Sequence, residues 1–221
     1  MGYVLLVRHG QTDGNRMRVV QPATMELSEA GLKQAELLAK RLSGPEFRIR
    51  KIISSDLARA KQTAEAVAKL LNMAVHEDSL LQERNFGHLR GQSYDSLMAK
   101  GINILQDGYE PPGGDSMKDF ASRCDLAWEK IRAEASLLSE NDHLCVVTHG
   151  LVLQHFISKV AAEEAKAGNL NEEKPRDLFA IQNTAVTVVK VGEVYSFHKD
   201  IVNCAAHLEE IDLLGKKRLY L

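Results

Sequence analysis

The chain has 221 residues, 44% hydrophobic and 26% charged, the balance of a globular protein long enough to bury one substantial core, so a single domain over 1–221 is expected. A formal net charge of -2, without long runs of one sign, excludes a broad basic field for nucleic acid, and attraction for anions has to be local. No stretch approaches the roughly 20 consecutive apolar residues a bilayer requires, and the run 3–7 is too short for a signal-peptide core, which argues against a membrane partner and predicts a cytoplasmic protein.

In chain order, Tyr3 to Val7 reads as a strand. Ser28 to Ser43 follows as a helix with Leu32, Ala35, Leu38, Ala39 and Leu42 at helical spacing, a serine at its N-cap and Gly44-Pro45 as its stop. A second strand around Lys51 to Ile53 runs into "SSDLARAKQTAEAVAKLL", where Asp56 is expected to cap a helix burying Leu57, Ala60, Ala64, Val67 and Leu71. The turn "PPGGDS" at 111–116 precedes a long helix through Phe120, Trp128, Ile131 and Leu138. "HLCVVTHG" is again an apolar run, a polar break and a new helix; "TAVTVVKV" and "EVYSFHK" read as a late hairpin or sheet edge.

Strands separated by helices of this length predict an α/β fold, a mainly parallel sheet covered on both faces. The scattered Cys124, Cys145 and Cys204 form no C-x-x-C pair, so reduced, mostly buried thiols are expected rather than disulfides or a zinc ribbon. Ligands of such sheets bind beyond the carboxyl ends of the strands. Three polar breaks fall at such ends: Arg8-His9-Gly10, Ser54-Ser55-Asp56 leading to Arg59, and Thr148-His149-Gly150. Two guanidinium forks facing one site favour a dianion. A neutral histidine beside them is a competent nucleophile, and the combination suggests phosphoryl transfer, whose transition state spreads charge over three equatorial oxygens. Gly10 and Gly150 allow close backbone approach, and a helix starting near Gly150 would direct free N–H groups at an anion. An alkoxide leaving group also needs a proton, for which Glu83, in the apparent strand-edge segment "LLQERNFG", is the candidate acid.

"LLVRHGQTDGN", "SSDLARAKQTAE", "LQERNFGHLRG" and "VVTHG", in that order over residues 4 to 150, resemble the motifs of the histidine phosphatase superfamily, which includes cofactor-dependent phosphoglycerate mutases and many phosphatases. The late "NTAVTVV" strand is similar as well. The resemblance implies a three-layer α/β/α sandwich in which His9 becomes a phosphohistidine. It further implies that Arg8 and Arg59 clamp the phosphoryl group, His149 completes the charged pocket, and Glu83 is first proton donor and then base. Asn15 and Gln21 match positions of further hydrogen-bond donors, and Arg84 and Gly150 adjoin the substrate. No metal or other cofactor is implied, because the arginines and His149 supply the charge that magnesium provides elsewhere.

Ordinary structural roles compete with several of these assignments. Arg59 could pair with Asp56 at a helix end, Glu83 with Arg84 at the surface, and Asn15 and Gln21 could simply form turns. His149 could cap a helix. His76, His88, His143, His155, His198 and His207 lack partners at metal-ligand spacing and read as structural or solvated, with His88 alone near enough to Glu83 in sequence to touch a substrate. Lys61 and "GKKR" read as solvated; the final "RLYL" could fold over a cleft or fray.

Between Glu83 and "PPGGDS" the basic side chains are few: Arg84, His88, Arg90 and Lys100. Mutases of the family usually carry a longer, more cationic insertion here and a motif nearer "NERHYG", so the resemblance favours the phosphatase branch, acting on small phosphorylated metabolites. Phosphoglycerate mutase is the alternative. A phosphoprotein phosphatase, a catalytically silent phosphate-binding scaffold and a metal-dependent hydrolase are the other readings. Nothing in the sequence specifies an oligomeric state.

Overall fold

The computed structural model describes residues 2–106, 108–168, 181–198 and 200–209. The "GKKR" and "RLYL" segments lie outside the described residues. In chain order the elements are β1 (Tyr3–Arg8), α1 (Asp13–Arg16), α2 (Glu29–Leu42), β2 (Arg48–Ser54), α3 (Ala58–Leu71), β3 (Val75–Glu77), α4 (Tyr94–Ala99), α5 (Met117–Ser136), β4 (Asp142–Thr148), α6 (Gly150–Lys166), β5 (Val186–Lys190) and β6 (Ser196–Phe197).

Two-sided apolar strands dictate the layers. Val4 and Leu6 of β1 join Leu144 and Val146 of β4 in one core cluster; the alternate residues Leu5, Val7, Cys145 and Val147 join another. Helices α5 and α6 cover the first face through Phe120, Trp128, Leu153 and Phe156. Helices α2 and α3 cover the second through Leu38, Leu42, Ala60, Ala64 and Val67. Trp128 is fully buried, its ring 5.1 Å from that of Phe156 and 5.6 Å from that of Tyr195. Truncating an aromatic packed in this way costs about 3–5 kcal/mol.

The six strands are ordered β3-β2-β4-β1-β5-β6. The four from β3 to β1 are parallel, while β5 runs antiparallel to β1 and β6 antiparallel to β5, which is the expected late hairpin at a sheet edge. The sheet is therefore mixed, with a parallel majority. β4 lies between β1 and β2, in a register that sets Thr148 opposite Arg8 and Val147 opposite Ser54. This pairing brings all three polar breaks to one edge.

Several local expectations are corrected. Leu32 is 49% exposed, because the inner face of α2 passes instead through Gly31, Ala35, Leu38 and Leu42. Gly31 fixes that rotation: a Cβ there would stand 1.9 Å from the Gln11 carbonyl oxygen. Asp56 does not cap α3, whose N-cap is Leu57 without a side-chain bond; the Asp56 carboxylate accepts from Gln82 Nε2 at 2.8 Å. Leu57 and Leu71 are only partly buried. Helix α5 stops at Ser136, short of Leu138, and Leu138 turns back against Gly2. Glu83 lies in a loop between the single-turn helices Ser79–Leu81 and Gly87–Leu89, not in a strand. Cys124 and Cys145 are buried and Cys204 partly so, all three as free thiols.

Candidate active site

The carboxyl ends of β1, β2 and β4 open onto a cavity of about 480 Å³ lined by Arg8, His9, Asn15, Gln21, Arg59, Glu83, Arg84 and Gly150 among others. Arg8 is the last residue of β1, so its backbone is held by the sheet while its side chain leaves it. Its Nη1 donates to the Ile181 carbonyl. His9 follows, 2% exposed, with its N–H on the Thr148 carbonyl at 3.0 Å.

The His9 ring is oriented by its own chain. Nδ1 lies 2.7 Å from the Gly10 carbonyl oxygen. A carbonyl can only accept, so Nδ1 carries the proton and Nε2 keeps its lone pair. Burial first, then Arg59 and Arg8, hold the His9 pKa well below the ordinary 6.5, so the ring is neutral at physiological pH. His149, fully buried, faces it with ring centroids 5.2 Å apart. Its Nε2 meets Ser55 Oγ at 2.9 Å, and its Nδ1 has no hydrogen-bond partner among the described residues. Burial and the charges of Arg59 and its neighbours keep His149 neutral as well. It occupies the N-cap of α6 without making a side-chain cap bond.

Arg59, 3% exposed, stands in the first turn of α3, with Nη1 on the Pro22 carbonyl at 3.3 Å and Nε without a partner among the described residues. Desolvation pushes its pKa down to about 10, which still leaves it cationic at neutral pH. The helix-end ion pair with Asp56 does not form, since Asp56 is turned to Gln82.

Glu83 is suspended by two backbone N–H groups: Arg84 N donates to Oε1 at 3.0 Å, and Leu151 N, in the first turn of α6, to Oε2 at 3.1 Å. Burial nonetheless raises its pKa above the usual carboxylate value, against those two bonds and against Arg59 and Arg8. A carboxyl so placed holds a proton to higher pH than a solvated one. Gly150 faces the same space, for a Cβ on it would lie 3.8 Å from Glu83 Oε2 and 3.9 Å from Arg8 Nε. Gly10 is different: its added Cβ would meet the Gly31 carbonyl oxygen at 2.7 Å, so its small size serves the packing of α2 on the β1 end rather than room for an anion.

Arg84 lines the cavity and at the same time holds the fold. It is 2% exposed and donates to the carbonyls of Asp115, Ile104 and Tyr109, so its guanidinium braces the 104–115 segment, and no surface ion pair with Glu83 forms. Asn15 and Gln21 both line the cavity, and both also serve the loop: Thr12 caps α1 in a capping box with Asn15, and Thr12 Oγ1 reaches Gln21 Oε1 at 3.0 Å. His88 is exposed against Gly113 and does not line the cavity. Lys61 pairs with Glu77 at 2.7 Å. Among the described residues, no group of three or more His, Cys, Asp or Glu gathers where a metal ion could be held, and no helix is long and apolar enough to cross a membrane.

Sequence reasoning missed several supporting residues. Arg123 of α5 donates to the carbonyls of Leu80, Gln82 and Glu83 and pairs with Asp115 at 3.1 Å, which fixes the chain that carries Glu83. Thr63 Oγ1 accepts the Gly10 N–H at 3.0 Å, and Asn183 Nδ2 donates to the His9 carbonyl at 2.9 Å. Tyr94 lines the cavity too. None of these carries a local signal; only the late "NTAV" segment contained a hint, for Asn183.

The profile of the histidine phosphatase superfamily (branch 1) matches residues 4–198. Phosphoglycerate mutase-like protein 4 of Arabidopsis thaliana is 30% identical over 96% of this chain and 89% of its own length. A probable phosphoglycerate mutase, GpmB, of Erwinia tasmaniensis is 34% identical over 74% of this chain and 77% of its own. Among solved structures, the mycobacterial glucosyl-3-phosphoglycerate phosphatase has the same fold, with a TM-score of 0.70 at 24% identity over 91% of this chain and 98% of that one.

Proposed function

The chain belongs to the histidine phosphatase superfamily, and from that premise we propose that it hydrolyses small phosphomonoesters through a phosphohistidine on His9, without a metal ion. The observation that carries this reading is the bond from His9 Nδ1 to the Gly10 carbonyl, which supports Nε2 as the attacking atom. In the first half-reaction the Nε2 lone pair forms the N–P bond while the ester P–O bond breaks, and the Glu83 carboxyl gives its proton to the departing alkoxide. In the second, the Glu83 carboxylate takes a proton from water, the resulting hydroxide attacks phosphorus, and the N–P bond breaks to return neutral His9 and phosphate. Arg8 and Arg59 supply fixed charge to the equatorial oxygens, which lowers the barrier, and neutral His149, its Nε2 held by Ser55, has only Nδ1 left for a hydrogen bond. Asn15 and Gln21 add contacts at the cavity wall.

A phosphoglycerate mutase is the second reading, favoured by the names of the two curated relatives. It requires cations on the leaving-group side. There Arg84 is engaged by three carbonyls and Arg18 stands 3.5 Å from Asp95, which leaves Arg90 as the exposed cation of the cavity lining, and this scarcity of cations favours water as the acceptor.

The test assays phosphate release and product isomerisation side by side, with wild type, His9→Ala and a chelator in parallel. Phosphate release that survives the chelator and is lost at least about 10³-fold in His9→Ala is expected, together with an acid-labile, base-stable phosphoenzyme. Full activity in His9→Ala would refute the mechanism; loss with the chelator would make it a metal hydrolase, isomerisation without release a mutase, and no turnover of any ester a silent scaffold.

A further inference from the structure

The part of the cavity beyond the phosphate clamp constrains what the phosphate is attached to. Val19, Leu97, Met98, Ile102, Ile104 and Leu105 line the same cavity of about 480 Å³ as Arg8, His9, Arg59 and Glu83. All but Val19 come from one stretch, 97–105, which Arg84 holds through the Ile104 carbonyl at 3.2 Å. Leu97 and Ile104 are buried against Val20, Phe86 and Leu89. Met98 and Leu105, by contrast, are 61% and 63% exposed, so an aliphatic surface runs from the buried wall to the cavity mouth. Exposed large apolar side chains that continue a buried apolar wall at a cavity mouth mark a ligand surface rather than a solvated face.

Polar side chains also line the cavity, among them Asn15, Gln21, Tyr94, Asn103 and Gln154, and its cations beyond the clamp are largely engaged. Arg18 faces Asp95, Arg84 is engaged by carbonyls, and Arg90 is exposed at the mouth. A carboxylate, a second phosphate or several hydroxyls laid against the aliphatic side chains of 97–105 would find few partners there, which is unfavourable; an alkyl or aryl group would gain by the same burial.

We infer that the leaving group is an apolar alcohol, so that alkyl or aryl phosphomonoesters are preferred over sugar phosphates and phosphoglycerates, with 97–105 as the surface that sets this preference. The inference rests on the phosphomonoesterase reading for its chemistry, but the preference itself is a binding property and is measured without turnover. Ethyl-, butyl-, hexyl- and 2,3-dihydroxypropylphosphonate, which have no hydrolysable ester bond, are titrated into the protein by calorimetry. The matching phosphate esters are assayed for phosphate release; their leaving groups are all primary alcohols, which keeps leaving-group chemistry nearly constant.

The Kd is expected to fall at least about threefold from ethyl to butyl and again from butyl to hexyl, with the dihydroxypropyl compound weaker than butyl. Leu105→Gln and Met98→Gln, at exposed positions the core does not depend on, should shrink the hexyl-to-ethyl ratio. A Kd independent of chain length, tightest binding of the dihydroxypropyl compound, no binding of any phosphonate, or an unchanged ratio in both variants would overturn the inference. Chain-length-dependent binding without turnover of any ester would instead refute the phosphomonoesterase reading and leave the apolar preference standing; turnover with a flat series would do the reverse.

Discussion

His9 and Glu83 are tuned in opposite directions by the same burial. Desolvation disfavours the charged form of each, lowering the pKa of the histidine and raising that of the carboxyl, toward the states that the proposed attack and protonation require. Under the proposed mechanism, the acid limb of kcat/KM, set by His9, falls below pH 6.5, and the alkaline limb, set by loss of the Glu83 proton, lies above the ordinary carboxylate range. A pH profile checks both. Glu83→Gln should lower kcat about 10²–10⁴-fold on alkyl esters, much less on an ester whose leaving group needs no proton, and remove the alkaline limb. An acid limb at or above 6.5, or equal losses on both ester types, would contradict these assignments. Arg8, His9, Arg59 and His149 were legible in sequence because each follows an apolar strand or opens the helix after it. Glu83 was legible first through the apolar, charged and glycine-broken character of its segment and then through the family motif, although its loop has no periodicity; Gly10 does allow a close backbone approach, but to Gly31 of α2, a partner invisible in one dimension.

At the scale of elements, the site depends on how helices are pinned to the sheet edge. Helix α2 approaches so closely that Gly31 has no room for a methyl group, its Cβ falling 1.9 Å from the Gln11 oxygen. Gly31→Ala is therefore expected to destabilise the protein by about 1–3 kcal/mol or more, measured by denaturant unfolding; an unchanged midpoint would mean that α2 can slide away freely. Helix α5 reaches across through Arg123 to three carbonyls of the Glu83 loop. Arg123→Gln should lower kcat about tenfold with little change in KM and blur the alkaline limb, and Arg123→Lys should restore part of it. A loss confined to thermal stability would reduce Arg123 to a packing role. Periodicity located α2, α3 and α5. It misjudged Leu32, Asp56 and the end of α5, because rotation and capping answer to neighbours distant in sequence.

Across the whole molecule, neutral buried histidines tie stability to pH. His9 and His149 are held well below 6.5, and His207 is pushed down to about 4 by burial and Arg41. Between those lowered values and 6.5 the unfolded chain binds more protons than the folded one, so stability is full above about 6.5 and is lost as pH falls toward the folded values. Calorimetry should record a falling melting temperature from pH 7.5 to 5, and inorganic phosphate should lessen the fall, since a bound anion favours the charged form of His9 and His149. A melting temperature that rises toward pH 5, or one whose fall phosphate leaves unchanged, would contradict this.

By itself the sequence determined the alternation of two-sided strands and amphipathic helices, and with it the layered fold and the three polar breaks that follow strands, because these are short-range patterns of side-chain polarity. Parallel strands also implied that those breaks meet at one edge; only the tertiary structure decided that β4 lies between β1 and β2, that His9 is tautomerically fixed and neutral, and that an aliphatic wall adjoins the clamp. Strand order, desolvation and cavity shape arise from contacts between residues far apart in the chain, where no local pattern records them.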